Sequence, residues 1–397
     1  MAQLSDRLNR LAPSATLAMS QKSNEMKAQG VDVINMSVGE PDFNTPDHIK
    51  EAGKKAIDDN FSKYSPVPGY MDLREAIVEK LKKENHLDYT TGEVIVGTGG
   101  KQGVCNTILA LVNPGDEVII PAPYWVSYPQ MAKLAGATPV IVRAGFEQDF
   151  KMTAEQLEAA ITPKTKMLIL CSPSNPTGSV YSQEELNALA EVILKHEDMF
   201  VLSDEIYEHI NYVGKAASIA SYPGMKERTI ICNGVSKAYA MTGWRLGWVA
   251  APAWIVKGIN KLQGQYTSGT CDVSQKAAVA AYVASQDCVE QMRVAFERRR
   301  DLIVKLAKDI PGLEVNVPQG AFYLFPKCSS FFGKSDGETV INNSTDFAMY
   351  ILEKAHVATV GGDAFGDPDC FRMSYATSDD NIREAMRRIK EVLAVLK

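Results

Sequence analysis

Seven short apolar segments alternate with helical patterns between residues 94 and 250. The predicted strands are Val94–Val96, Glu117–Ile120, Pro139–Val142, Met167–Cys171, Phe200–Leu202, Thr229–Cys232 and Leu246–Ala250. The helices predicted between them are Lys101–Val112, Trp125–Ala135, Thr153–Ile161 and Ser182–His196. Because apolar strands alternate with helices in this way, we predict an α/β fold whose sheet is mostly parallel, about seven-stranded and covered by helices. In such sheets, ligands bind beyond the carboxyl ends of the strands.

The pattern changes after residue 250 and predicts a second, smaller α+β domain. Its predicted elements are a helical region from about Val273 to Asp309, strands Leu313–Val317 and Phe322–Pro326, a turn-rich insert at 328–344, a helix near Thr345–Ala355, a strand near Cys370–Tyr375 and an amphipathic helix Asp379–Leu396. We therefore predict an N-terminal arm with a small-domain segment (1–45), a large ligand-binding domain (46–290) and a small C-terminal domain (291–397).

Composition excludes several classes of protein. Of 397 residues, 45% are hydrophobic and 23% charged, as in soluble globular proteins, and the net charge of −6 does not suggest a nucleic-acid partner. No apolar run approaches the length of a membrane span. The five histidines have no HxxxH or HExxH spacing and the seven cysteines include no CxxC pair. We therefore expect no metal site, no disulfides and a cytoplasmic location.

A lysine stands just after the sixth predicted strand, in the sequence RTIICNGVSKAYAMTGWRLGW at residues 228–248. Burial there would lower the pKa of Lys237, and a neutral lysine amine forms Schiff bases with aldehydes. Ser236 and Arg245 are suitable groups to hold a phosphate nearby. The stretch therefore has the groups that a pyridoxal phosphate lysine needs. A loop lysine that reaches solvent is the alternative explanation.

Polar residues follow two other buried strands of the predicted sheet. Asp204 needs a charged partner, and a protonated pyridine nitrogen would supply one. Tyr207 could donate to the phenolic oxygen of the same ring, and Asn175 could donate to a ring oxygen or a carboxylate. The alternative explanation for Asp204 and Tyr207 is that the aspartate caps a helix and the tyrosine belongs to the core. Asn175–Pro176 is a candidate cis peptide bond.

The segment GTGGKQG at 97–103 lies between a strand and a helix, where glycines let the backbone approach an anion. It matches neither the Walker pattern nor the dinucleotide fingerprint, so it predicts a phosphate site of another kind or an ordinary tight turn. Trp125 follows the next strand and could stack on a flat ring or belong to the core. Arg372 lies in a short apolar strand and needs a carboxylate, from a substrate or from a structural ion pair.

In order and spacing, these motifs resemble those of the fold-type I pyridoxal phosphate enzymes, and more narrowly the class I aminotransferases of the bacterial aspartate aminotransferase group. The matching motifs are GGKQ, PYWVSY, SPSNPTG, SDEIYEH and SKAYAMTGWRLGW. The resemblance covers nearly the whole chain, from PSAT near the N-terminus to the Arg372 strand.

The resemblance implies specific roles for these residues. Lys237 would bind the cofactor as a Schiff base and then move the substrate proton, while Asp204 would pair with the pyridine nitrogen. The remaining cofactor contacts would come from Tyr207, Asn175, Trp125, Gly99, Gly100, Lys101, Ser236 and Arg245, with Tyr64 reaching in from the other subunit of a homodimer. Arg372 and Asn175 would hold the substrate α-carboxylate beside Trp125, and the Gly39 backbone would close over it. Transfer would follow ping-pong kinetics.

The substrate class also follows from the resemblance. Lys101 with Ser14 and Thr16 would bind a distal carboxylate, which favours aspartate or glutamate as amino donor and 2-oxoglutarate or oxaloacetate as acceptor. A broad-specificity aromatic or alanine-type aminotransferase is the near alternative. The insert at 328–344 bears on the closing surface of the small domain. A C–S lyase or a cyclopropane-forming synthase would share the lysine motif. An effector-sensing regulator would need a DNA-binding module, for which the arm before residue 30 is too short.

Overall fold

The computed structural model describes residues 4–397 of the chain. Its strands are β1 (Ile34–Asn35), β2 (Val94–Gly97), β3 (Glu117–Ala122), β4 (Thr138–Arg143), β5 (Thr165–Cys171), β6 (Phe200–Asp204), β7 (Thr229–Gly234), β8 (Gly247–Ala250), β9 (Tyr323–Leu324), β10 (Val357–Ala358), β11 (Val360–Gly361) and β12 (Phe371–Ser374). Its α-helices are α1 (Asp6–Asn9), α2 (Ala15–Ala28), α3 (Asp47–Asp58), α4 (Met71–Asn85), α5 (Gly100–Leu111), α6 (Ser127–Leu134), α7 (Ala154–Ala160), α8 (Gln183–Ile193), α9 (Ala253–Tyr266), α10 (Asp272–Val283), α11 (Asp287–Lys308), α12 (Ser344–Tyr350) and α13 (Asp379–Leu393).

The central sheet has seven strands in the order β2-β8-β7-β6-β5-β3-β4. Strand β8 is antiparallel to both of its neighbours, and the other pairs are parallel. Because β8 alone is reversed, β2, β7, β6, β5 and β3 all end at the same edge of the sheet. The predicted α/β fold is confirmed, and the candidate residues after these strands meet at that edge.

Helices on both faces of the sheet explain why its strands are apolar without alternation. Every residue of β2, β7 and β8 is buried, whereas the edge strand β4 has exposed residues at both ends. Two covering helices begin at sequence-encoded caps. Ser182 Oγ accepts from Glu185 N at 3.2 Å and starts α8, while Thr153 Oγ1 accepts from Gln156 N at 3.2 Å and starts α7. Such caps satisfy backbone donors that a helix leaves free at its start.

A second core lies around the small sheet β11-β12-β9 and the helices α11 and α13. Phe296, Phe322 and Phe347 are completely buried in it. The segment β1 pairs in parallel with β10, so residues near the N-terminus join the C-terminal part of the chain. The boundaries at residues 45 and 290 stay predictions. Residue 290 lies in the first turn of α11.

Several predicted elements differ from the structure. The helical region Val273–Asp309 is two helices, which residues 284–286 separate. The predicted strand Leu313–Val317 is wrong, because only Glu314 forms a bridge, to Lys327. The predicted helix Trp125–Ala135 begins at Ser127, so Trp125 precedes it. The Asn175–Pro176 peptide is cis, as predicted. Among residues 4–397, no helix combines the length and apolar character that crossing a membrane requires.

Candidate active site

A cavity of about 530 Å³ opens at the carboxyl edge of the central sheet. Thirteen of the fifteen residues predicted for the site line it: Ser14, Thr16, Gly39, Gly100, Lys101, Trp125, Asn175, Asp204, Tyr207, Ser236, Lys237, Arg245 and Arg372. Gly99 and Tyr64 do not belong to this lining. Residues from the arm, the large sheet and the small sheet therefore meet around one space.

Lys237 lies three residues beyond β7 and is mostly buried. Its Nζ donates to the carbonyl oxygen of Gly39 at 2.5 Å. Burial, with smaller contributions from Arg372 and Arg245, lowers the pKa of Lys237 to about 8, and nearby Glu40 opposes that fall. A sizeable share of this amine is therefore neutral near physiological pH, as a nucleophile and proton acceptor requires.

Asp204 ends β6 and is buried beneath the same cavity. Tyr128 donates its hydroxyl proton to Asp204 Oδ2 at 2.7 Å, and the backbone N–H of Ile206 donates to Oδ1 at 3.3 Å. Burial raises the pKa of Asp204, and the Tyr128 and Ile206 donors oppose that rise. The carboxyl therefore faces the cavity with donors arranged for its ionised form. Sequence reasoning missed Tyr128, although it lies in the quoted PYWVSY motif.

Tyr207 and Tyr323 share a hydrogen bond of 2.6 Å between their hydroxyl oxygens. Both side chains are buried and line the cavity. Tyr323 comes from β9 in the small sheet, 116 positions along the chain. Nothing in its neighbouring sequence distinguishes it from a core aromatic residue, so sequence reasoning missed it.

The start of α5 forms a cradle of backbone beside Arg245. Gly99 caps this helix with φ of +80° and supports the cradle from outside the cavity. A Cβ on Gly99 would lie 2.4 Å from Arg245 Nη2, and a Cβ on Gly247 would lie 2.3 Å from the backbone nitrogen of Gly100. Two glycines thus permit the close approach of backbone and guanidinium. A helix N-terminus with an arginine beside it is suited to an anion.

Arg372 projects from β12 and is almost fully buried. Its Nη1 donates to Asn175 Oδ1 at 2.8 Å, and its Nη2 donates to the carbonyl oxygen of Ser37 at 2.5 Å. Among residues 4–397, its Nε is buried with no hydrogen-bond partner, and neither partner of its Nη atoms is a carboxylate. Burial lowers its pKa. A buried guanidinium in this state is suited to an anionic ligand such as a carboxylate.

Lys101 and Trp125 form the outer wall of the cavity with residues of the arm. Lys101 Nζ lies 4.9 Å from the centre of the Trp125 ring. Desolvation and the nearby Arg245 lower the pKa of this lysine. Ser14 caps α2 by accepting from Leu17 N at 3.5 Å, and this places Ser14 and Thr16 on the same cavity. The wall combines one cation with two hydroxyl groups, as a second carboxylate site would.

Tyr64 lies outside this cavity and is fully exposed. It lines a separate surface groove with Phe61 and residues 269–273. Its predicted contact with a phosphate in the other subunit stays a prediction.

An acidic cluster lies outside the cavity, where Glu84, Glu208 and His209 place their ligand atoms within 4.8 Å of one another. Lys80 already supplies a cation, because its ammonium contacts both Glu208 and Glu84. Asn233 Nδ2 donates to Glu208 Oε1 at 2.7 Å. Although burial opposes ionisation, Lys80 and His209 lower the pKa of Glu208 to about 2. The cluster therefore links α4 to the ends of β6 and β7 as an internal ion pair.

The donor set fits pyridoxal phosphate. Asp204 is a buried carboxylate that no positive group of residues 4–397 contacts directly, which matches a pyridinium nitrogen. The glycine cradle and Arg245 match a phosphate, and the lowered pKa of Lys237 matches an amine that condenses with an aldehyde. Trp125 offers an indole face at the cavity wall.

Residues 31–389 match the family model described as aminotransferase class I and II. The chain therefore belongs to the class I and II aminotransferases, and within them to the aspartate aminotransferase group. It is 49% identical, over the full length of both chains, to an aspartate/prephenate aminotransferase of Cereibacter sphaeroides. It is also 49% identical to a bifunctional aspartate aminotransferase and glutamate/aspartate-prephenate aminotransferase of Petunia hybrida, over 99% of this chain and 83% of that protein.

Solved structures show the same relationship. The crystal structure of the aspartate aminotransferase from Rhizobium meliloti has a TM-score of 0.97 with 42% identity and covers all of both chains. That of Thermus thermophilus, solved with maleate, has a TM-score of 0.93 with 40% identity over 99% of this chain and all of the other. The sequence-based prediction of a transaminase is confirmed.

Proposed function

We propose that this enzyme transfers the amino group of L-aspartate or L-glutamate to 2-oxoglutarate or oxaloacetate with bound pyridoxal phosphate. The observation that carries the proposal is one cavity that contains Lys237, Asp204 and Arg372, where the buried Nε of Arg372 has no hydrogen-bond partner in the described part of the chain. When bound, pyridoxal phosphate supplies an electron sink for the charge released as the α-proton leaves.

Each residue has a task that its position supports. Tyr128 and Ile206 donate to Asp204 and favour its ionised form, which would pair with the positive pyridine nitrogen of the bound cofactor. Arg372 binds the substrate α-carboxylate, and Asn175 accepts from Arg372 with Oδ1 while its amide group remains a donor. Lys237 Nζ accepts the α-proton of the amino acid and can return it, since its lowered pKa favours both directions.

The outer wall supports a dicarboxylate substrate. Lys101, Ser14 and Thr16 face the same cavity as Arg372, so a substrate with carboxylates at both ends could contact a cation at each. The Thermus thermophilus relative was solved with maleate, which is a dicarboxylate. Prephenate, the substrate in the names of the Cereibacter and Petunia relatives, also carries two carboxylates, so it is a second candidate acceptor.

We also propose a homodimer with shared active sites. Tyr64 is fully exposed, and the cradle residue Arg245 is exposed as well, so a second subunit could cover both. A cytoplasmic location stays a prediction of the sequence.

The first experiment records the visible absorption of the pyridoxal phosphate-loaded protein before and after adding L-aspartate without an oxo acid. We expect a visible band that L-aspartate converts to near-ultraviolet absorbance with release of oxaloacetate, and neither change in Lys237→Ala. Absence of the band in the wild type would overturn the cofactor assignment. A band that aspartate leaves unchanged, but that alanine or phenylalanine converts, would favour the broad-specificity alternative, and release of ammonia or sulfide would favour a lyase.

The substrate assignment has its own test in Lys101→Met. We expect the KM for aspartate to rise by about tenfold or more, because the distal carboxylate loses a charged partner, while alanine turnover changes little. Lys133→Met, in α6 and outside the cavity lining, is the control. If the substitution impaired the reactions with aspartate and with alanine equally, Lys101 would not bind the distal carboxylate. The same assay with prephenate as acceptor tests the second candidate.

A further inference from the structure

We propose that Tyr323 is a positioning residue that donates its hydroxyl proton to Tyr207 and so directs the proton of Tyr207 toward the bound cofactor. The inference rests on the proposed function, because it needs a ring oxygen for Tyr207 to meet. Neither the sequence motifs nor the family assignment gives Tyr323 a role.

The geometry brings these two hydroxyl groups together within the cavity. Their oxygens are 2.6 Å apart, and the ring centres are 5.7 Å apart with the rings nearly perpendicular. Both hydroxyl groups border the space that also exposes Lys237 and Arg372. Tyr323 is held against the backbone of Gly39, where an added Cβ would lie only 2.0 Å from the tyrosine oxygen. This contact leaves the Tyr323 hydroxyl little freedom to move away from Tyr207.

The direction of the shared bond follows from counting protons. A phenol has one proton to donate, and either oxygen could donate in the bond between the two tyrosines. If Tyr207 gives its proton to a ring oxygen, it can only accept from Tyr323. Hydrogen bonds in such a chain polarise one another, so the donor Tyr323 makes Tyr207 a stronger donor.

The charges around the pair favour the same direction. The Arg372 guanidinium carbon is 4.6 Å from the centre of the Tyr323 ring. Burial raises the pKa of both phenols, and Arg372 opposes that rise at Tyr323 more than any other charge does. At Tyr207 the pKa is raised well above its usual value, by burial and by Tyr323. Tyr207 also has the Cys171 thiol and the Arg372 guanidinium nearby, and the Nζ of Lys237 is 5.7 Å from its ring centre. A cation against the ring makes a phenol the better donor, and the guanidinium of Arg372 lies against the ring of Tyr323.

The substitution Tyr323→Phe tests the inference, since it keeps the ring against Arg372 and removes only the hydroxyl. The readout is the pH midpoint of the visible absorbance change of the pyridoxal phosphate-loaded protein, together with kcat and KM for aspartate. Donation by Tyr207 would stabilise negative charge on the ring oxygen. This donation would matter most in the deprotonated form of the chromophore, where no neighbouring proton offsets that charge, so losing it would disfavour deprotonation. We therefore expect the midpoint to rise by about 0.5 to 1 pH unit and kcat to fall about fivefold, with KM little changed.

The matched control is Tyr375→Phe, which removes another fully buried hydroxyl from the same core. Tyr375 donates to the carbonyl oxygen of Ala321 at 3.2 Å and does not line the cavity, so its loss should leave the midpoint unchanged. The decisive comparison is Tyr323→Phe in a Tyr207→Phe background. If Tyr323 acts through Tyr207, the midpoint shift disappears there.

Two results would overturn the inference while leaving the proposed function intact. One is an unchanged midpoint in Tyr323→Phe. The other is the same shift with and without Tyr207, which would mean that Tyr323 acts on the cofactor directly. A wild-type protein with no visible band would instead overturn the proposed function itself.

Discussion

At the scale of single residues, burial decides the chemistry of the cavity. Desolvation lowers the pKa of Lys237 and raises the pKa of Asp204, and each shift favours the neutral form of the group. In the proposed function, the neutral form is useful for the lysine, which would act as a nucleophile, and harmful for the aspartate, which would hold a cation. At Asp204, the hydroxyl of Tyr128 and the N–H of Ile206 donate to the carboxylate and oppose the rise of its pKa.

The pKa of Lys237 makes a prediction about pH. Below a pKa of about 8, the neutral fraction of this amine rises tenfold with each pH unit, and above it the fraction is nearly constant. We expect the rate at which apo-protein forms its visible band with pyridoxal phosphate to follow this curve, as measured by stopped-flow absorbance. Free Nα-acetyl-lysine is the control, and its rate should keep rising toward pH 10. A protein rate that also rises to pH 10 would show that the lysine is not perturbed.

Tyr128→Phe tests the support of Asp204. Removing a donor to a buried carboxylate raises the pKa of Asp204, so protonation and loss of activity should occur at higher pH on the acidic side. We expect kcat to fall by about tenfold at neutral pH, as for a hydrogen bond to a charged group, and the acidic limb of the pH–rate profile to move upward.

The control for Tyr128→Phe is Tyr124→Phe, because Tyr124 packs against the same cluster and its hydroxyl makes no hydrogen bond to Asp204 among the described residues. Equal effects of the two substitutions would argue against a specific role for the Tyr128 hydroxyl.

At the scale of elements, the antiparallel strand β8 lies between β2, which leads into the anion cradle, and β7, which leads into the Lys237 segment. Strand β8 pairs with both β2 and β7, and its first residue, Gly247, lies opposite Gly97 in one neighbour and Gly234 in the other. Glycine at these positions lets the start of α5 approach the sheet. The spacing between the phosphate cradle and the Lys237 segment therefore depends on a contact between backbones.

Gly247→Ala should disrupt that contact. The new Cβ would lie 2.3 Å from the backbone nitrogen of Gly100, and no flexible side chain is present to yield. We expect a loss of about 2 kcal/mol or more in the free energy of unfolding and weaker binding of pyridoxal phosphate, measured by denaturant titration and by cofactor fluorescence.

Gly258→Ala is the matched control, because a Cβ there meets open space within α9. It should stabilise the protein slightly, by up to about 1 kcal/mol. Unchanged cofactor affinity in Gly247→Ala would mean that the cradle tolerates a wider gap.

At the scale of the whole molecule, one predicted cofactor contact, Tyr64, lies away from the cavity of its own chain. The predicted cofactor contacts all line the cavity except Gly99, which lies against Arg245, and Tyr64, which lines a separate surface groove. A homodimer with Tyr64 donated across the interface would complete the phosphate site.

Mixed dimers test this arrangement. Lys237→Ala and Tyr64→Ala proteins, each nearly inactive alone, should recover activity after they are unfolded and refolded together. Half of the dimers would be hybrids with one intact site, so about a quarter of wild-type activity is expected for a two-fold symmetric dimer with shared sites. A mixture as inactive as its components would exclude sharing of these residues between subunits. Refolded wild type is the control for yield.

Features that depend on neighbouring residues could be predicted from the sequence, whereas features that depend on distant partners could not. Buried strands and helix caps are encoded by neighbouring residues, so the seven strands of the sheet and the capped helices α7 and α8 could be predicted. The predicted strand Leu313–Val317 failed because a short apolar run gains a strand only if a partner lies beside it, and there only Glu314 has one.

The sequence by itself determined which polar residues follow the buried strands. Because the carboxyl ends of parallel strands meet at one edge of the sheet, it also determined that these residues lie close together. That reasoning placed Lys237, Asp204 and Asn175 around a common cavity. Only the tertiary structure decided which side chains support them. Tyr128 reaches Asp204 across 76 positions and Tyr323 reaches Tyr207 across 116, and neither contact leaves a local pattern. Hydrogen bonds between distant elements depend on how those elements pack, and packing is set by the chain as a whole.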